Sequence, residues 1–414
     1  MRQPIKRGGV LVTDGDQRST LALVRALGRA GIPVVVGESR TESLAGSSRY
    51  CAARVRYPSP SEDSAGFQQF LYEELKREQH SILIPMTDVT TRLVAEMRAS
   101  IEPLVNVPIP AEDAIHRSQD KGYVIELAEE LGIPCPRTVS LDNGGDPAEL
   151  ARAMHFPVVV KPRFSHFFRS GHWLSGPVVY ARTPEELTFK FSESDRQIPR
   201  PLIQEKLTGE GRGVFLLIWN GELKAAFCHR RVREKPPSGG VSVYRESIPL
   251  DELLVEKSLA LLKELDWQGV AMVEFKIDRQ DGLAKLMEVN GRFWGSLQLA
   301  IDAGMNFPLL LYRLARGENV SPQFDYRVGV KSRWLLGDLD CLLITIKTSG
   351  HANGLPGPSW PRLKALAQFL KFYERDLHYE ILRLDDTRPG WFESKSYFFG
   401  ALRDLNRGRE ASKC

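Results

Sequence analysis

Two hydrophobic periods alternate at the start of the chain. Gly9-Val10-Leu11-Val12 is an unbroken apolar run of strand length, and Ser19 to Ala30 carries Leu21, Val24 and Leu27 at helical spacing before Gly31 stops it. Pro33 to Val36 reads as a second strand, which makes the opening a βαβ unit. Phe67 to Glu78 repeats the helical pattern and leads into the apolar run Ser81 to Pro85, so residues 1–112 are predicted to form a small parallel α/β domain. Ligands of open α/β sheets bind beyond the carboxyl ends of strands, where Thr13-Asp14-Gly15-Asp16 and Met86-Thr87-Asp88 stand; helix caps account for these residues about as well. No G-x-G-x-x-G is present, so a dinucleotide site lacks its usual phosphate loop.

The pattern changes after Glu112. Ala114 to Leu131 predicts one helix with Val124, Leu127, Ala128 and Leu131 turned inward, ended by Gly132 with Pro134 beyond it. Short strands follow at 158–162, 202–206, 213–219 and 222–228, with helices near 184–192 and 250–265, an α+β arrangement. Gly350 to Pro361 predicts a linker to an amphipathic helix near 363–373, and there is no internal repeat.

The segment Val270 to Ser296 carries the strongest chemical signal. Two runs of alternating polarity flank Gln280-Asp281-Gly282, a hairpin loop with Gly at the left-handed position. That register sets Glu274 directly opposite Glu288, with Cβ atoms about 5 Å apart. Asn290 follows on the same face, since side chains alternate with period two. The other face, Ala271, Val273, Phe275 and Ile277 with Met287 and Val289, is apolar and implies a half-buried sheet. Two carboxylates so close are unfavourable unless a cation lies between them, and oxygen-only ligation with vacancies for water and phosphate suits Mg²⁺. Arg292, next on that face, is built to hold an anion bidentately.

Composition narrows the classes. A chain of 414 residues, 42% hydrophobic and 26% charged, builds two or three domains without staples. The net charge of +4 is spread out, which gives nucleic acid and membrane surfaces little support as partners. Five cysteines without metal or redox spacing fit free thiols in a reducing compartment, and the short apolar stretch after MRQPIKR is too brief for a signal peptide or a span, so the cytoplasm is the expected location.

Other residues are weaker singly. Lys121 lies in the first turns of its helix and Lys161 ends an apolar strand; each ammonium needs a phosphate, a paired acid or solvent. Gln204-Glu205-Lys206-Leu207 closes a strand before the glycines of 209–213, and the stretch SHFFRSG, 165–171, lies where a loop over phosphates would have to be if Lys161 binds one, or is an ordinary hairpin. Arg230 to Ser242 reads as a charged loop beside the site, whose Arg231, Arg233, Ser238 and Gly239 are candidates for substrate or phosphate capture, or simply solvated.

Asp120-Lys121, Gly132 to Thr138, Val158 to Pro162, Gln204-Glu205-Lys206, Val273-Glu274-Phe275 and Met287 to Arg292 occur in an order that resembles the ATP-grasp superfamily, in its carbamoyl-phosphate-synthase-like and carboxylate-amine ligase branch. The resemblance implies an α/β plus α+β fold: a Rossmann-like pre-ATP-grasp domain at 1–112, a two-subdomain ATP-grasp domain at 113–310, and a C-terminal extension at 311–414. It implies ATP and Mg²⁺ or Mn²⁺ as cofactors, with Lys121 and Lys161 on the phosphates, Gln204 to Leu207 at adenine, and Glu274, Glu288 and Asn290 on the metal. Arg292 would bind the transferred phosphoryl or the acyl-phosphate. Glu210 stands near the expected ribose partner, although Arg212 competes for that position, and SHFFRSG departs from the usual glycine-rich phosphate loop. The implied reaction activates a small carboxylate as an acyl-phosphate for attack by an amine, with a homodimer as the expected assembly. A bicarbonate-phosphorylating enzyme of the biotin-carboxylase or carbamoyl-phosphate type, and a non-catalytic nucleotide-binding regulator, are the alternatives.

Overall fold

A computed structural model describes residues 9–140, 154–194, 201–347, 351–352, 355–356 and 362–411. Its first sheet is parallel, in the order Cys51–Arg56, Val34–Glu38, Gly9–Val12, His80–Ile84. Period-two alternation within these strands divides two cores. Val10, Val12, Val34, Val36, Ile82 and Ile84 face the helix Arg18–Arg29, while Leu11, Val35 and Leu83 pack with Phe67 and Leu71 of the helix Ser64–Arg77. The edge strand Cys51–Arg56 escapes sequence reading because its residues alternate half-buried and exposed and include Arg54 and Arg56.

The predicted helix over 114–131 is broken in two, Glu112–Gln119 and Lys121–Glu130. Asp120 causes the break: its carboxylate accepts from the backbone N–H groups of Gly122 and Tyr123, capping the second helix. Leu131 is 36% exposed at the helix end rather than turned inward, while Gly132 takes the left-handed conformation expected of it.

Two more sheets follow. A four-stranded one runs Thr138–Ser140, Pro201–Glu205, Val158–Pro162, Val179–Ala181. A seven-stranded one runs Ala284–Asn290, Gly269–Asp278, Gly209–Trp219, Glu222–Lys235, Val241–Ile248, Lys331–Arg333, Leu377–Tyr379. Both faces of the large sheet are buried. Phe215, Leu217, Phe227 and Met272 join the core that holds Val10 and Val12 of the first domain, whereas Val214, Leu216, Val273 and Phe275 pack with Val124, Leu127 and Leu261. One continuous core therefore ties the first domain to the large sheet. Phe293 and Trp294, each 1% exposed, fill it beneath the site, and Trp294 lies 4.4 Å from the Phe215 ring.

The boundary expected at 310 falls inside the helix Phe307–Ala315, and residues beyond it supply two strands of the large sheet. Arg230 to Lys235, expected in a loop, belong to a strand. The linker expected at 350–361 lies mostly outside the described residues, and the helix after it spans Arg362–Phe369. Among the described residues no helix is long and apolar enough to cross a membrane.

The C-terminal segment returns to grip the first helix. Arg25, fully buried, donates to Asp386 and to the carbonyls of Glu380 and Ile381, and Ser48 also donates to Asp386. Glu380 accepts from both Arg18 and Arg245, joining that helix to the large sheet. Removing one partner from a buried ion pair strands the other charge, at about 3–5 kcal/mol. Arg25→Met is therefore expected to lower the unfolding free energy by about 3 kcal/mol in urea titration; an unchanged midpoint would contradict the clamp.

Candidate active site

The hairpin of the large sheet pairs Glu274 with Glu288 and Met272 with Asn290, as the alternation requires. One extra residue interrupts the pairing between Glu274 and Phe275, so Leu286 rather than Met287 shares the buried face with Val289. That bulge is what sequence alternation alone misses. Gly282, at φ 72°, turns the loop. Asn290 donates to Glu288 at 3.0 Å, and Arg231, from a strand of the same sheet, donates to Glu274 and to Glu234. Burial pushes the Glu274 carboxyl up to about 7, against the pull of Arg231 and with the repulsion of Glu288. Burial also works against ionised Glu288, but the Lys121 ammonium, the Asn290 amide and Lys161 outweigh it and hold that carboxyl below its usual range.

Both expected lysines lie beside this pair. Lys161 ends its buried strand and donates at 2.9 Å to Gln204, which donates in turn to Thr138 at 2.7 Å. Burial, then the neighbouring Lys121 charge, lowers the Lys161 ammonium to about 8. Lys121 reaches Ser165 at 2.7 Å. Its helix start is fixed by Asp120, which holds Arg163 at 2.6 Å, while the Arg163 carbonyl accepts the Lys121 N–H.

Arg292 takes Asp88 of the first domain bidentately, at 2.9 and 3.2 Å. Burial opposes ionisation of Asp88, but Arg292 holds its carboxyl below the ordinary range. The sequence marked Asp88 equally as a cap or a ligand-facing residue; Thr87 is the helix cap, leaving Asp88 to orient the arginine. Asp14, in contrast, is satisfied internally by Thr13, Thr90 and the Met86 N–H. His166 lies 3.7 Å from Asp88, and a small cavity is lined by Asp88, Lys121, Ser165, His166, Glu288 and Asn290.

The stretch 165–171 enters a hairpin, Phe167–Arg169 with His172–Leu174. Trp173, which sequence reading passed over, docks it on the first domain, donating to the Ser61 carbonyl at 2.9 Å and to Ser64 at 3.2 Å.

Of the remaining expected residues, Lys206, Leu207, Glu210, Arg231, Arg233 and Ser238 line a neighbouring cleft of about 890 Å³, and Glu205 and Gly239 do not. Glu205 accepts from the backbone and ring of His155, and Lys206 sits 5.1 Å over the Tyr180 ring. Glu210 is held by Arg212 at 3.0 Å and by Arg230 at 3.4 Å, so both ribose candidates belong to one ion-pair chain. Arg233 forks onto Asp338 at 2.6 and 2.7 Å and lies 4.3 Å over Tyr244, which commits its guanidinium to the C-terminal helix Leu335–Lys347. The Gly239 turn approaches Tyr180 of the smaller sheet.

A hard divalent cation fits the donor set, because Glu274 and Glu288 present carboxylate oxygens face to face with the Asn290 amide beside them. Among the described residues no group of three or more His, Cys, Asp or Glu side chains is arranged to hold a metal ion, so the two carboxylates and the amide are the donors available here.

Residues 197–335 match a family described as ATP-grasp in the biosynthetic pathway with Ter operon. The fold is similar to the biotin carboxylase domain of Hydrogenobacter thermophilus 2-oxoglutarate carboxylase, crystallised as a dimer with MgADP, ADP and bicarbonate: TM-score 0.64 and 14% identity over 79% of this chain and 74% of that one. N5-carboxyaminoimidazole synthetase from Staphylococcus aureus, complexed with ADP, gives 0.60 and 14% over 79% and 81%. L-amino acid ligase from Bacillus licheniformis gives 0.58 and 17% over 75% of each chain.

The lysine yields a test independent of ligands. Folded Lys161 loses its proton near pH 8 and unfolded lysine near 10.5, so the unfolded chain binds more protons between these values and stability rises with pH across that window. Relative to Lys161→Met, the wild-type chain is expected to gain about 3 kcal/mol from pH 8 to 10.5 in denaturant titrations; parallel curves would contradict the buried ammonium.

Proposed function

We propose that this chain, whose fold is that of ATP-grasp enzymes, is an ADP-forming ligase joining a carboxylate to an amine. The observation that carries the reading is the opposed pair Glu274 and Glu288 with Asn290 beside it, flanked by Lys121, Lys161 and the Asp88-anchored Arg292. In the first step a substrate carboxylate oxygen attacks the γ-phosphorus of ATP, the bond to the β-phosphate oxygen breaks, and ADP leaves. In the second the amine nitrogen attacks the acyl carbon, phosphate leaves, and the nitrogen gives up a proton.

Negative charge builds on phosphoryl oxygens in the first step, so positioned cations supply most of the rate. Lys121 and Lys161 would meet the phosphates, and Arg292 the transferred group. Asp88 keeps Arg292 from rotating away. Gln204 to Leu207 would receive adenine at the end of an inner strand of the smaller sheet, with Glu210 or Arg212 toward ribose. Glu274, Glu288 and Asn290 would hold Mg²⁺ or Mn²⁺, which when bound neutralises charge between the phosphates. No protein nucleophile is needed. Arg231 and Ser238 line the cleft as candidate substrate contacts, with Gly239 next in the chain, whereas Arg233's pairing with Asp338 favours a fastening role. A homodimer is part of the proposal, on the precedent of the thermophilic carboxylase domain.

Glu288→Gln is expected to abolish Mg²⁺-dependent ATP turnover while leaving the circular dichroism spectrum intact; unchanged ADP release would sink the metal assignment. ATP is expected to raise Tm more with Mg²⁺ than without it, because stabilisation follows affinity for the native state, and equal shifts would count against the hairpin as its site. An ADP-release screen of carboxylic acids crossed with amines, with bicarbonate as a separate arm, tests the reaction: stimulation by bicarbonate alone would replace the ligase reading with the bicarbonate one.

A further inference from the structure

Next to the opposed carboxylates the large sheet opposes two arginines. Arg231 pairs directly with Arg245, Arg245 with Ser332, and His229 lies two residues before Arg231, on the strand facing Gly213 and, beyond it, Glu274. Directly paired side chains share a face, and alternate residues return to it. One face of the sheet therefore runs from Glu288 and Glu274 into His229, Arg231, Arg245 and Ser332, with strands about 4.8 Å apart.

These side chains are buried with polar atoms unused. His229, Arg245 and Ser332 are each at most 1% exposed. Neither ring nitrogen of His229 has a hydrogen-bond partner among the described residues, and the same holds for Nε of Arg231 and Arg245, Oγ of Ser332, Nε1 of Trp294 and Oε1 of Glu380. The atoms form one neighbourhood: Phe215 touches both Trp294 and His229, at 4.4 and 4.7 Å between ring centres, and Glu380 is bound to Arg245. Each buried orphan costs about 1–3 kcal/mol, so a cluster of them marks a place where a polar guest belongs. The set is several donors and one carboxylate acceptor. Donors facing a carboxylate, with an acid left for an ammonium, are the complement of an amino-acid headgroup.

We propose that this cluster binds the α-carboxylate and α-ammonium of an amino acid, which enters past Arg231 from the adjoining cleft and is one substrate of the ligation. The assignment rests on the ligase reading for its role in turnover, but not for binding. Arg231 belongs to both places, lining the cleft and touching Glu274, and its strand stands two spacings, roughly 10 Å, from that of Glu274, with Arg245 and Ser332 one and two strands farther on.

The test titrates the full chain, without nucleotide, with each of the twenty common L-amino acids by calorimetry, and with the deaminated acid and the amide of the best binder. One amino acid or a narrow set is expected to bind, and both fragments at least about tenfold more weakly. Ser332→Ala removes a hydroxyl without a protein partner, so it should keep the wild-type Tm and weaken binding about tenfold, the usual loss of a hydrogen bond to a charged group; His229→Asn provides a second variant at the same face. Equal binding of the deaminated acid, unaltered affinity in both variants, or no amino-acid binding overturns the proposal. Amino-acid binding without Mg-ATP-dependent ADP release overturns the ligase reading and leaves the pocket, while ADP release from acid and amine pairs that include no amino acid, with none bound, leaves the ligase and removes the pocket.

Discussion

Two carboxylates held face to face in a buried sheet are a standing electrostatic problem. Glu274 and Glu288 are locked opposite each other by backbone pairing, so neither can retreat, and ionising both requires positive charge nearby. The surroundings supply it from three directions. Arg231 comes from the same sheet, Lys161 from the smaller sheet, and Lys121 from the start of a helix whose cap is Asp120. A cation between the carboxylates would relieve the same strain, which is why the fold and the chemistry favour one location.

The rest of the architecture fixes those donors relative to one another. The core shared by the first domain and the large sheet places Asp88 against Arg292, a contact between residues 204 positions apart. The C-terminal segment closes the arrangement from behind: Glu380 bridges Arg18 and Arg245, and Asp386 holds Arg25. Residues beyond 310 thus carry the sheet and its ionic ties, not a separate unit. Trp173 adds a third tie, bringing the hairpin that follows Ser165 and His166 onto the first domain.

Legibility in the sequence followed the locality of the physics. The pairing of Glu274 with Glu288 and the left-handed Gly282 were readable from neighbouring residues, but the three-residue loop was not: Ile277 pairs with Ala284, one position off, and the bulge restores the register at the carboxylates. The bulge at Met287 did not announce itself, because one inserted residue alters which side chain is buried without altering composition. Asp120 interrupted a helix that apolar spacing drew as continuous, since a capping carboxylate competes with periodicity. Arg233 read as a free loop cation because Asp338, its partner, is 105 residues away. The orphaned group around His229 and Arg245 was invisible for the same reason: it gathers from strands whose pairing only the fold defines.

We propose the opposed pair as a divalent-metal site at the phosphate end of a nucleotide cleft. Crystals grown with ADP and Mn²⁺ and measured at the manganese absorption edge test it most directly. An anomalous peak is expected within bonding distance of the carboxylates of Glu274 and Glu288 and of a phosphate oxygen. A nucleotide bound with its metal elsewhere, or no peak at the pair, would contradict it.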